Sequence, residues 1–353
     1  MSRPSLDQPF VKGSVLTPAG ELPRISSVLE AADRWGSFKA RWGVGRMNYT
    51  VDPGLYALGN PDHAAPVLVT ANYKMSFDIL RSSMSNRSAW ILALDTEGIN
   101  VWCAAGKRTF GTEELLGRIA SSDLAGVVSH RRLILPQLAA PGVAAHEVKK
   151  RSGFRVVYGP IRACDLPAFI DAECKATAEM RRKTFTMWER AVLIPIELVA
   201  ALKPAAIISV VAFLLGGLAG SGTFWANAMD HGLFAVVALV GGILAGTILT
   251  PILLPWLPGR AFALKGAVLG VVFSLFIALV YGSTGLDWSR GVEIFGWLLV
   301  VTALIAYLAM NFTGASTYTS LSGVRREMRL AVPLEIAAAA IGLSLWLGSL
   351  FLA

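Results

Sequence analysis

The back of the chain carries five apolar runs, Ala205–Gly220, His231–Leu253, Phe262–Tyr281, Ile294–Met310 and Ala331–Leu352. A run of about 20 apolar residues spans a hydrocarbon core, and in lipid it must satisfy its own backbone and therefore be helical. The first run is short, but Ala191–Ala201 ahead of it is also apolar. Lys203-Pro204 reads as an interfacial segment bending into the bilayer. The front half is different: most of the charge lies before residue 190. Mean hydropathy is +0.55, with 54% apolar and only 16% charged residues, so the chain divides into a soluble half and a membrane half. The expected layout is an N-terminal arm over 1–40, an α/β domain over 41–185, a linker or interfacial segment over 186–204, and a transmembrane domain of five helices over 205–353.

The loops set an orientation. Arg181, Arg182, Lys183 and Arg190 precede the first run, Arg260 and Lys265 border the second link, and Arg325, Arg326 and Arg329 fill the fourth. Positive loops stay in the cytoplasm, which places the chain in the cytoplasmic membrane with its N-terminal domain in the cytoplasm and the C-terminus outside. The same flanks explain the net charge of +8 without nucleic acid. No run shows an ionisable residue at its middle, so the expectation is an anchor and docking platform rather than an ion or proton path. No apolar core follows Met1, so no signal peptide is expected.

The soluble half alternates strand and helix patterns. Strands are predicted at Pro66–Thr70, Ala89–Asp95, Ile99–Trp102, Gly126–Ser129 and Phe154–Tyr158. Helices are predicted at Met75–Met84, Thr112–Ala120, Gly142–Arg151 (stopped by Gly153) and Leu166–Arg182 (capped by Asp165). This implies a Rossmann-like α/β domain with a parallel sheet, whose ligands bind outside the carboxyl ends of the strands. Those ends supply Thr70, Asn72, Ser129, Tyr158 and Gly159 as candidate binding residues. Residues 1–30, rich in Pro and Ser, read as an irregular arm.

Chemistry concentrates at Asn100-Val101-Trp102-Cys103-Ala104-Ala105-Gly106-Lys107, with Thr109 close behind. Cys103 is expected at a strand end, beside Lys107 and facing the Thr112 helix start, where a thiolate is favoured. The three small residues after it would let a flat ligand approach closely. Gly106-Lys107 is not a phosphate loop, because Val101 and Arg108 stand where that pattern needs Gly and Ser or Thr. Gly43-x-Gly45 falls short of a dinucleotide fingerprint. His63, His130, His146 and His231 give no signature for cysteine-nucleophile chemistry, and no zinc spacing surrounds Cys103. A buried structural cysteine remains the alternative from spacing alone. Cys164 and Cys174 sit beside or within a helix pattern and read as structural. With three cysteines and no Cys-x-x-Cys, no iron–sulfur cluster is expected in this chain.

The octet Asn100–Lys107 resembles the signature of the HgcA family, the corrinoid proteins of microbial mercury methylation. Trp42–Met47, Gly54–Ala57, Val69–Lys74 and Pro141–Glu147 resemble that family too, as does the order of soluble half and membrane half. Arg108 departs from it, standing where a small residue is expected. The resemblance implies that Cys103 is the lower axial ligand of a corrinoid cobalt, a role suited to a soft thiolate donor. The usual histidine-ligated pattern, Asp-x-His-x-x-Gly, is absent. The implied activity is a corrinoid-dependent methyltransferase that moves a methyl group from a methylcobalamin-type cofactor to Hg(II). The implied partners are a two-cluster ferredoxin-like iron–sulfur protein (HgcB) as electron donor and a methylfolate-type methyltransferase as methyl source. The soluble domain also resembles the corrinoid iron–sulfur protein of the acetyl-CoA pathway, which makes a methyl carrier with another acceptor the second reading. A non-catalytic membrane sensor or scaffold is the third.

Overall fold

The computed structural model describes residues 3–219, 222–283, 287–316 and 321–351. The predicted ends of the first and fifth apolar runs, Gly220 and Leu352, lie outside the described residues. The chain divides into two compact units, 1–183 and 184–353.

The first unit is built on one seven-stranded sheet in the order β1-β2-β3-β5-β4-β6-β7. The strands are β1 (Val11–Thr17), β2 (Gly20–Ile25), β3 (Gly54–Leu58), β4 (Val67–Ala71), β5 (Ala89–Leu94), β6 (Arg132–Leu135) and β7 (Arg155–Tyr158). β5, β4, β6 and β7 run parallel, β3 joins β5 antiparallel, and the β1–β2 hairpin continues that edge. The sheet is therefore mixed. Its parallel half is wound outward in both directions from β4, so the order reverses between β4 and β6.

Alternation along each strand feeds two cores. Leu55, Val67, Val69 and Leu92 pack with Leu115, Ile119 and Val148 on one face. Tyr56, Leu68, Ile91 and Ile134 pack with Phe77, Leu80 and Phe169 on the other. Full burial of such side chains is worth about 1.5–3 kcal/mol each. The helices are α1 (Ala31–Arg41), α2 (Lys74–Ser83), α3 (Val101–Lys107), α4 (Thr112–Ser121), α5 (Leu124–Val127), α6 (Ala145–Ser152) and α7 (Leu166–Asp171).

Several expectations are corrected. The arm over 1–40 is no arm: it forms β1, β2 and α1. Ile99–Trp102 is not a strand, because the Asn100 side chain accepts from the Cys103 N–H (3.0 Å) and caps α3 there. The first two residues of the predicted strand Gly126–Ser129 belong to the short helix α5, and the strand itself is β6, which begins at Arg132. α7 stops at Asp171 rather than 182, since Glu173 and Cys174 take positive φ. Cys174 thus lies outside any helix. Gly153 ends α6 in the left-handed region, as its position predicts.

A buried charge cluster ties α1 to α2. Lys74 and Arg81 each contact both Asp33 and Asp78, at 2.7–2.8 Å. Burial pushes the Asp33 carboxyl up, but hydrogen bonds from Lys74, the Glu30 N–H and Arg81 outweigh it and bring its pKa from 3.8 to about 2. A depressed carboxyl stabilises the fold above its unfolded pKa, and that contribution is lost as pH falls through the folded value. Acid titration of the full chain should therefore show a loss of stability between about pH 4 and about pH 2 that is much reduced in Asp33→Asn. An identical acid profile in the variant would show that the cluster does not act on stability.

The second unit is helical. It contains α8 (Met187–Ala191), α9 (Ile194–Gly216), α10 (Phe224–Asn227), α11 (Leu233–Leu244), α12 (Thr250–Leu253), α13 (Phe262–Gly282), α14 (Trp288–Met310) and α15 (Leu321–Ser349). Among the described residues five stretches are long and apolar enough to cross a membrane: Met187–Gly216, Phe224–Leu253, Phe262–Gly282, Trp288–Met310 and Ser322–Ser349. The segment 186–204 is thus no linker. It is the helical start of the first stretch, and Pro204 lies inside α9. The fifth helix also begins about ten residues before its apolar run, which moves Glu335 to its middle.

Candidate functional site

The order reversal between β4 and β6 opens a crevice at the carboxyl end of the sheet, and α3 lies across it. Thr70 of β4, Asn100, Val101 and Trp102 of α3, Leu135 and Pro136 after β6, and Pro160 and Ile161 after β7 line a cavity of about 320 Å³. That is the low end of the range for small-molecule pockets. Its walls are mostly apolar, with Thr70, Ser76 and Asn100 as polar points.

α3 is held by its small residues. Ala104 and Ala105 are buried in the sheet's core. A Cβ on Gly142 would come within 2.2 Å of the Phe110 carbonyl and 3.1 Å of the Ala105 Cα, so only glycine lets this loop approach. Cys103, third residue of α3, is exposed. Gly106 and Lys107 are exposed as well, and a Cβ on Gly106 would meet nothing within 4 Å. The surface beside the thiol is open. Arg108 caps α3 in the left-handed region, which any non-glycine residue occupies at a cost. Thr109 is half-buried and its hydroxyl donates to the Ala104 carbonyl (3.5 Å).

Of the predicted residues, Thr70, Asn100, Val101 and Trp102 line the cavity, and the others lie further along α3 or at the strand ends. The Asn72 carboxamide is spent on the following turn: its oxygen accepts from the Thr96 N–H (3.0 Å), the Thr96 hydroxyl (2.9 Å) and the Gly98 N–H (3.3 Å). It shapes the loop leading into α3. Tyr158 donates to the Val143 carbonyl (2.6 Å), and the Gly159 N–H to the Leu135 carbonyl (2.8 Å), which closes the floor beside β6. Ser129 is not brought here. It precedes β6 and donates to the His63 carbonyl (3.1 Å), at the amino end of the parallel strands. Its displacement follows from the misplaced strand: a residue expected at a strand's exit lies before its entry.

The walls supplied by Pro136, Leu138 and Ile161 were missed. The signal for them was Leu133-Ile134-Leu135 between Arg132 and Pro136, a short apolar run closed by proline. Cys103 lies in the first turn of α3, not at a strand end. Among the described residues no group of three or more His, Cys, Asp and Glu could hold a metal ion.

Residues 44–170 match the family model of the CO dehydrogenase/acetyl-CoA synthase delta subunit. Curated relatives include the gamma subunit of the acetyl-CoA decarbonylase/synthase complex of Methanopyrus kandleri, 31% identical over 125 residues, which is 35% of this chain and 27% of that one. The gamma 2 subunit of Methanosarcina thermophila is 32% identical over 130 residues, 36% of this chain and 27% of the relative. The gamma subunit of Methanocaldococcus jannaschii is 33% identical over 116 residues, 32% and 23%. The chain thus spans about a quarter of the length of these relatives.

Proposed function

We propose that the α/β unit is a corrinoid-binding methyl carrier of the acetyl-CoA-pathway kind, with Cys103 as the side chain that would bind its cobalt, and that the helical unit holds it at a cytoplasmic membrane. What supports this is one coincidence: an exposed thiol on α3, the helix whose Asn100, Val101 and Trp102 line the crevice where the strand order reverses, inside the stretch that matches the delta-subunit family. A bound corrinoid, methylcobalamin-like in its loaded form, supplies a cobalt able to accept and give away a methyl group.

The residues present fit such a group. A thiol is a soft donor for a transition metal, and no side chain stands over Gly106. The cavity beside α3 is too small for a macrocycle but takes a side arm of one. In this reading Asn100 fixes the first turn of α3 and so the direction of the Cys103 side chain. Ala104 and Ala105 anchor the helix to the sheet. Val101, Trp102, Thr70, Thr109, Tyr158 and Gly159 offer contacts along the rim, Asn72 orders the loop before it, and Lys107 adds positive charge. Ser129 takes no part.

The acceptor is the finer question. The relatives favour the carrier reading, in which the methyl group passes to another protein of an assembly. Hg(II) as acceptor, with the HgcB-type ferredoxin and a methylfolate-type methyltransferase as partners, rests on the octet Asn100–Lys107. The test is direct: the full-length chain, purified with a methylated corrinoid, is offered Hg(II) beside an equal amount of free methylcobalamin. Methylmercury formed far faster by the protein would establish the mercury reading. Stable methyl–corrinoid in the presence of Hg(II) would leave the carrier reading. A chain that retains no corrinoid would reject both in favour of a sensor or scaffold. The orientation is a separate proposal. A reporter inserted beside Arg326 should be active only in the cytoplasm, and one fused after Ala353 only outside; activity of both on one side would overturn it.

A further inference from the structure

Glu335 lies at the middle of α15, inside the fifth membrane-crossing stretch. It is 8% exposed, enclosed by the protein itself. Both of its carboxylate oxygens are buried without a hydrogen-bond partner among the described residues. The enclosure comes from close helix packing. A Cβ on Gly342 would meet the Gly296 carbonyl at 2.5 Å, so α14 and α15 touch backbone to backbone. On the other side of α14, Gly270 and Gly266 of α13 press on Thr302 and Ala306 in the same way. With a rise of about 1.5 Å per residue, the antiparallel packing sets Glu335 level with Thr302 and Ala306.

No charged group among the described residues hydrogen-bonds the Glu335 carboxylate. On α13 the Lys265 ammonium donates to the Leu254 carbonyl (2.9 Å) and to that of Leu257. α14 offers only the half-exposed Tyr307 at this level, and the turn Thr313–Ala315 has no ionisable residue. On α15 itself, Glu327 accepts from the Ala263 N–H (2.7 Å), and Arg325, Arg326 and Arg329 are exposed. An ionised carboxylate enclosed at membrane depth without a cation or donor is too costly to persist. A neutral acid avoids that cost.

We infer that Glu335 is an intramembrane proton-binding site, which makes the helical unit a proton-responsive element and not only an anchor. This corrects the expectation that no span holds an ionisable residue at its middle. The inference is independent of the corrinoid reading. The proton form also predicts a chemistry: a hydrophobic carbodiimide reacts with a carboxylic acid enclosed in the bilayer. The acid oxygen adds to the central carbon, the proton passes to a nitrogen, and acyl transfer leaves an N-acylurea on the side chain with nothing lost.

The full-length chain in membranes, treated with dicyclohexylcarbodiimide and mapped by peptide mass, should carry the adduct at Glu335 severalfold above Glu327, whose carboxylate is hydrogen-bonded. Wild-type mapping suffices, so the result does not depend on a variant that fails to fold. A second readout is infrared: the carbonyl band of an un-ionised acid should be present in the wild type and lost in Glu335→Gln. Labelling of Glu335 no greater than that of Glu327, or an acid band unchanged in the variant, would overturn the inference.

Discussion

Cys103→Ala should abolish methyl transfer by the full-length chain while leaving it folded. The side chain is exposed, so its truncation removes no core packing, and Asn100 still caps the same turn through the backbone N–H of residue 103. Removing a metal ligand outright should cost more than the roughly 10–100-fold typical of losing an outer-shell partner. Cys103→Thr should behave almost as badly in spite of its similar size, since a hydroxyl is a hard, weakly donating group. Cys103→His should keep some corrinoid and transfer poorly, because a larger ring places its donor nitrogen farther from α3. Cys164→Ala and Cys174→Ala should stay near normal. Cys164 lies in the turn before α7, and Cys174 sits near Arg132 at the entry of β6, away from the thiol's rim. Methyl transfer assays on the five variants check this, and activity retained in Cys103→Ala would reject the site.

Arg81→Ala should have the largest effect on stability. Arg81 is 1% exposed, binds Asp33 and Asp78, and donates to the carbonyls of Ser26 (2.7 Å) and Val28 (3.1 Å). Truncation leaves two buried carboxylates sharing one ammonium, that of Lys74. Breaking one partner out of a buried ion cluster typically costs about 3–5 kcal/mol. That would take much of the stability of a domain held by about 5–15 kcal/mol. Denaturant unfolding of the α/β unit within the full chain should show it, and a loss under about 1 kcal/mol would mean that the cluster is solvated. Lys74 begins α2 directly after the Thr70–Tyr73 exit of β4, so the same loss should loosen the rim of the cavity.

The parts of this fold that were legible in sequence are those where burial imposes a period. β4, β5 and β7 are apolar runs because helices cover both faces of the sheet, and α2, α4 and α6 alternate accordingly. Where one side chain decides, the pattern misleads. Asn100 turns Ile99-Asn100-Val101-Trp102 from an apparent strand into a capped helix by a single hydrogen bond. Most side chains of β1 are exposed or half-buried, so its seven residues carry no burial signal and the arm looked irregular. The long apolar helices were found by hydropathy, but the start of the fifth was not, since α15 opens in a stretch carrying Arg325, Arg326 and Arg329 that hydropathy discounts. Hence Glu335 looked like an end residue. In the candidate site the octet is local and was read directly. The remaining walls come from β6 and the turn after β7, and only the strand order brings those to α3.

Cobalt X-ray absorption on the full-length chain loaded with corrinoid under anoxia tests the central claim most directly. Ligation by Cys103 should give a cobalt–sulfur shell in the wild type and its loss in Cys103→Ala. A nitrogen-only cobalt environment in the wild type, or a sulfur shell that survives in Cys103→Ala, would contradict it.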